Sequence, residues 1–202
     1  MPQMEIRKIK HLSKNQLSPD LKAFVEKEIV NSNAGYETVP EEFFVYSSNY
    51  RNRLRLEYEI KPKIQVKLTD INSTELKEYV YEGIIPEGPT IDGPWTSVPR
   101  VFKRPDDVII MLTEWDYIAD DGAIVAISEL MNVTVAKVPA MLSVKKSLSG
   151  KVAAMLEWST DKKHFTITVW DDVDMTNKGK KYDRKWLLNL ASSVTTKVPR
   201  FK

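Results

Sequence analysis

Arg53-Leu-Arg-Leu-Glu-Tyr-Glu-Ile60 is the segment on which the fold class first turns. Leu54, Leu56, Tyr58 and Ile60 alternate strictly with Arg53, Arg55, Glu57 and Glu59. Such alternation marks a strand with one face on a core and the other in water, the habit of antiparallel sheets. Upstream, the aromatic and β-branched run 42–47 predicts a further strand. Downstream, Ile64, Val66 and Leu68 resume the alternation after Pro62, which suits a sheet edge or a bulge.

On the N-terminal side the spacing predicts a helix from Ser18, with Ser18 as cap, Pro19 in the first turn and Asp20 at the positive end of the dipole. Leu21, Phe24, Val25 and Ile29 recur at helical spacing, and Gly35 ends the run. On the C-terminal side, Asn72-Ser-Thr-Glu75 reads as a capping signature for a short helix over 73–81. The stretch 86–99 then carries too much Pro and Gly for regular structure. Trp95 within it predicts a loop packed onto something, since an exposed linker gains nothing from an indole. The expected organisation is a helix plus antiparallel β region over 1–85, a Pro/Gly-rich loop or linker over 86–100, and an α+β region over 101–202. One continuous domain remains compatible with the same pattern.

In the last region the apolar run 107–115 reads as a buried strand, and Asp120-Asp-Gly122 as a turn. The segment 123–131 has the length of a helix and the β-branched content of a strand, and is read as a helix. A strand is expected over 141–144. Lys151-Val-Ala-Ala-Met-Leu-Glu-Trp158 and His164-Phe-Thr-Ile-Thr-Val-Trp170 read as a hairpin closed by residues 159–163. A final amphipathic helix over 182–193 would bury Trp186, Leu187 and Leu190. The fold class is therefore α+β: antiparallel-rich sheet or sheets with a few flanking helices.

Two resemblances attach to these residues. Phe165-Thr-Ile-Thr-Val-Trp170-Asp-Asp, with the strand and helix pattern of the second half, resembles the dimeric ferredoxin-like small monooxygenases. It implies a ferredoxin-like second half, covers less than half the chain, and lacks the histidine that family carries beyond the motif. His11-Leu-Ser13 and His164-Phe-Thr166 resemble the paired His-x-Ser/Thr signature of the two-histidine phosphoesterases. That resemblance implies two imidazoles acting as acid and base, but His11 sits in a charged leader, where the family has a central strand.

The composition bounds the chemistry. The 202 residues are 42% hydrophobic and 29% charged, with a net charge of +2, ordinary for a globular protein. There is no cysteine, which excludes thiol nucleophiles, disulfides and Cys-ligated metals and fits the cytoplasm. The leader over residues 1–16 has no apolar run of a secretory signal, and no stretch is long and apolar enough to span a bilayer. No cofactor is called for.

Three function classes follow. A non-catalytic binding or assembly protein, partnered with itself or another protein, would use an apolar surface around Ile91, Trp95 and Val98. A single-stranded nucleic-acid binder would use Tyr50, Arg51, Arg53, Arg55, Lys61 and Lys63 as a basic, aromatic-flanked ribbon. Glu57 and Glu59 share the face of Arg53 and Arg55, so cross-strand ion pairing accounts for that ribbon too. A small enzyme would be either a metal-dependent phosphoesterase, with Glu114, Asp116, Asp171 and Asp172 (and Asp174 beyond) converging from two strand ends, or monooxygenase-like. Turn chemistry explains the same acids. The first class is preferred, because each polar cluster has an adequate structural explanation.

Overall fold

The hairpin expected over 151–170 is the middle of the sheet in the computed structural model, which describes residues 4–8, 12, 18–87, 92–173 and 179–195. In chain order the elements are β1 (Met4–Arg7), α1 (Pro19–Ala34), β2 (Glu37–Thr38), α2 (Glu42–Asn49), α3 (Glu57–Ile60), β3 (Val80–Ile84), β4 (Ser97–Lys103), β5 (Ile109–Trp115) and β6 (Ile124–Ile127). They continue with β7 (Val133–Val135), β8 (Val138–Lys146), β9 (Val152–Ser159), β10 (His164–Val169) and α4 (Arg184–Thr195). The main sheet runs β2-β8-β9-β10-β5-β4-β3, with β7 folded back on β8. Every pairing in it is antiparallel except that of β2 with β8.

The alternation over 164–169 decides what each face does. Phe165, Ile167 and Val169 point to one side and are fully buried. Ile167 stands between Leu112 of β5 and Leu156 of β9. Trp158 stacks flat on Phe165 at 5.1 Å. Leu187, Leu190, Ala191 and Val194 of α4 close this core. Each such large side chain contributes about 1.5–3 kcal/mol by leaving water. The opposite face carries His164, Thr166 and Thr168, all half-buried.

Several expectations hold. α1 starts as read: the Ser18 hydroxyl accepts from the Leu21 N–H at 3.1 Å, Pro19 is the first helical residue, and Gly35 closes the helix at φ 83°. The strand over 107–115, the turn at 120–122, the strand over 141–144 and the final helix all form.

Others are overturned. The run 42–47 lies in a helix, α2, not a strand. Pro40 followed by Glu41 and Glu42 starts it, since acids favour a helix N-terminus, and Phe43 and Phe44 pack on Trp170 at 5.8 and 5.9 Å. The alternating segment 53–60 is no strand either. A 3-10 turn over Tyr50–Arg53 is followed by the single turn α3. Leu56 and Tyr58 are 52% and 72% exposed, so only half of the expected apolar face goes inward. Arg, Leu and Glu are good helix formers, and the Glu59 carboxylate accepts from the Leu56 N–H at 3.3 Å. Arg55 alone keeps extended pairing, exchanging two hydrogen bonds with Ile84. Ile64 makes an isolated bridge to Trp95 without a strand.

The helix expected over 73–81 is two 3-10 turns, Ile71–Ser73 and Glu75–Glu78, before β3 begins. Thr74, not Asn72, caps the second turn, and Tyr79, Val80 and Tyr81 favour extended backbone. Over 123–131 the β-branched residues prevail: β6 pairs in parallel with β1, Met4 opposite Ile124, and a 3-10 turn follows. With no helix there and β5, β10, β9 and β8 joined antiparallel, the second half lacks the crossovers of a ferredoxin-like arrangement. Residues 97–100 of the expected loop or linker begin β4, which pairs with β3, so the sheet takes strands from both sides of the Pro/Gly-rich stretch. Among the described residues no helix is long and apolar enough to cross a membrane.

Candidate functional site

The sheet face opposite α4 carries the groove with the most distinctive chemistry. Pairing places Pro99, Thr113, Thr166 and Glu157 in one row across β4, β5, β10 and β9. Met111, Thr168 and Met155 form the next row. At a strand spacing of about 4.8 Å the four strands span roughly 14 Å. Glu42 and Phe43 of α2, Trp170 and Glu87 complete the walls of a groove of about 440 Å³. Among the described residues no lysine or arginine lines it.

Its charged groups differ in their partners. Glu87 lies 3.5 Å from Arg53, and Glu42 is exposed. Glu157 is half-buried, and no hydrogen bond or ion pair to its carboxyl is found among the described residues. Burial pushes its pKa above the usual carboxyl range; Lys145 pulls it back and Glu28 of α1 adds to the rise. Lys145 is itself ion-paired with Glu37, which also takes Lys27. One row beyond Glu157, His164 Nδ1 lies 2.9 Å from the Ser159 hydroxyl, and burial lowers its pKa. Threonine hydroxyls, methionine sulfurs, two aromatic rings and an unanswered carboxyl equip the groove to hold a group with an apolar body and a positive end.

A second hollow, about 480 Å³, lies between residues 64–72 and Arg100. There Lys61, Lys67 and Arg100 are mixed with Glu57 and Asp70. A third, about 240 Å³, lies beside α1 around Asn132, whose amide holds both the N–H and the carbonyl of Leu142 at 2.8 Å.

The residues singled out from sequence are dispersed. Tyr50 is buried, and its hydroxyl donates to Glu82 at 3.0 Å, so its ring is not a stacking platform. Arg51 reaches Glu82 at 3.9 Å and Arg55 donates to the Leu54 carbonyl. Lys63 lies over Trp95 at 5.9 Å and Lys61 lines the second hollow. Apart from Arg55, which pairs in extended form with Ile84, they sit on short helical turns, not along one ribbon. Trp95 and Val98 are interior, packed with Ile60, Val66 and Ile84; Ile91 lies outside the described residues.

The four acids do not converge. β5 and β10 are antiparallel, with Trp115 opposite His164 and Ile110 opposite Val169. Glu114 and Asp116 therefore lie at one end of the pair and Asp171 and Asp172 at the other, roughly 20 Å apart at about 3.3 Å per residue. Among the described residues no three acidic or histidine side chains are placed to hold a metal ion. His11, Ser13 and Asp174 lie outside the described residues.

Sequence reasoning missed the largest polar assembly. Glu114 is fully buried and receives the guanidinium of Arg100, the ammonium of Lys163 at 3.0 Å and the Thr69 hydroxyl at 2.7 Å. Lys163, read as part of the segment closing the hairpin, also donates to the Lys67 carbonyl. The signal was available: in Ile110-Met-Leu-Thr-Glu114, Glu114 shares the parity of Ile110 and Leu112 and so must enter the core. The groove had a signal too, in the polar parity of Thr166 and Thr168.

Comparison of the chain with protein-family models, curated proteins and solved structures finds no match in any of the three.

Proposed function

We propose that this is a non-catalytic binding protein that holds a segment of another protein in the groove on the open face of its sheet, acting in the cytoplasm as the absence of cysteine suggests. The observation that supports the reading is the character of that groove: methionines on a sheet floor four strands wide, aromatic rings in its walls, and among them hydroxyls and a carboxyl with no hydrogen-bond or ion-pair partner among the described residues. Floors of this kind take up extended or amphipathic segments through side-chain pockets. The surface first sought around Trp95 is spent inside the chain, so the groove is the better docking face.

Reactive chemistry has weaker support. Ser159 and His164 are within hydrogen-bonding distance, but Ser159 is only 5% exposed, which leaves little room for attack on a substrate.

The test is selection of a heptapeptide phage library on the wild-type protein, with counter-selection on Thr166→Trp, which fills the groove floor. The reading expects enriched peptides that bind the wild type and lose at least about tenfold on the filled variant, once circular dichroism shows that variant folded. Enrichment of nothing, or of peptides indifferent to Thr166→Trp, would discard it.

A further inference from the structure

We infer that the segment this groove takes presents a lysine or arginine side chain, its charge met by Glu157 and its alkyl stem laid along Met111, Met155 and the rings of Phe43 and Trp170. This rests on the groove being a docking site and specifies the chemistry of its occupant.

Charge complementarity carries the argument. The charged side chains lining the groove are Glu42, Glu87 and Glu157, all acidic. Arg53 answers Glu87 at 3.5 Å. Among the described residues no cation is in ion-pair contact with Glu157, and Lys145, the cation whose field reaches it, is engaged by Glu37. A carboxylate withdrawn from water without a partner is costly, and an incoming ammonium or guanidinium removes that cost. An acidic segment would meet like charge at Glu157 and Glu42, and a neutral one would desolvate Glu157 further with nothing in return.

The walls fit the rest of such a side chain. Lysine and arginine carry three- or four-carbon stems that pack on apolar surface while the head stays polar. Methionine adapts to such stems, and aromatic faces attract the cation. Phe43 and Trp170 stand 5.8 Å apart at one end of the groove, with Met111 and Met155 on its floor. The row of Thr166 and Thr113 next to Glu157 supplies hydroxyls for the segment's backbone.

The experiment is a titration followed by NMR on protein labelled with 13C at the methionine methyls, Met111 and Met155 being assigned from Met111→Leu and Met155→Leu. The probes are the capped tripeptides Phe-Lys-Phe and Phe-Gln-Phe. The lysine peptide should move both signals and bind at least about tenfold more tightly than the glutamine peptide. Glu157→Gln should erase that preference by weakening the lysine peptide's binding. Equal binding of the two peptides by the wild type would overturn the inference and leave the groove reading standing. A preference surviving in Glu157→Gln would overturn the role given to Glu157. If neither peptide moves Met111 or Met155, the groove reading falls and this inference with it.

Discussion

At Glu114 two cations and a hydroxyl converge on one carboxylate that has no face toward water. Burial alone would raise its pKa, but Arg100 and Lys163 outweigh it and hold it below the usual value. A depressed carboxyl contributes stability that is present above the unfolded value and lost as pH falls through the folded one. Removing Glu114 leaves Arg100 and Lys163, each almost wholly buried, without a counter-charge, with only the Thr69 and Lys67 carbonyls to accept from them. Glu114→Leu is therefore expected to cost about 3–5 kcal/mol in urea unfolding at pH 7. Replacing Arg100, Glu114 and Lys163 together by Met, Leu and Met should cost much less than that single change; an equal or larger loss would contradict the desolvation argument. His164 acts in the same direction at milder acidity. Burial lowers its pKa from 6.5, so the neutral ring's stabilisation is present above about that pH and lost as pH falls through the folded value. His164→Phe should flatten the stability profile below pH 6.5, whatever it does to absolute stability through Ser159; an unchanged slope would refute the assignment.

Among the elements, α4 shows how a single side chain anchors a helix. Arg104 is 1% exposed, pairs with Asp106 at 2.7 Å and Asp171 at 3.0 Å, and lies 4.0 Å above the ring of Tyr182 and 5.2 Å from that of Trp186. It ties the turn after β4 and the end of β10 to the start of α4. Arg104→Met keeps the stem and removes the charge, and is expected to cost roughly 2 kcal/mol. Amide exchange should quicken in the first turns of α4 more than in β9 and β10; uniform acceleration would mean that Arg104 is part of the global core. α4 was legible because its own residues decide it, with Trp186, Leu187 and Leu190 at helical spacing. β9 and β10 were legible for the same reason. Segment 53–60 was not, because period-two alternation implies a strand only if its whole apolar face finds a core, and Leu56 and Tyr58 do not. β6 was misread for the converse reason: its partner is β1, about 120 residues away, and local spacing carries no trace of that pairing.

At the scale of the whole molecule the two faces of the sheet are unequal, and the inequality locates the site. One face is sealed by α4; the other is closed at its margins by α1, α2 and the turn over Tyr50–Arg53, leaving Thr113, Thr166 and Glu157 between them. The polar parity of β10 could be read from sequence, but the wall made by α2 could not, since the aromatic and β-branched content of 42–47 reads locally as a strand. A groove kept for binding should also bear a stability cost, and Glu157 is where it can be measured. Its folded pKa is raised, so between the usual value of 4.5 and the folded value the native state holds a proton that the unfolded chain releases. The stabilisation of the protonated form is full below 4.5 and lost as pH rises through the folded value. Glu28, Glu42, Glu87 and Lys145 are the charged groups around it, and none of them is altered by Glu157→Gln. That variant should match the wild type near pH 4 and exceed it by roughly 1 kcal/mol at pH 8, as removal of a functional but unfavourable group commonly does. Urea unfolding at the two pH values decides it. A variant less stable than the wild type at pH 8 would show that the carboxylate is already satisfied within the fold, and the case for a cation arriving from outside would lose its physical ground.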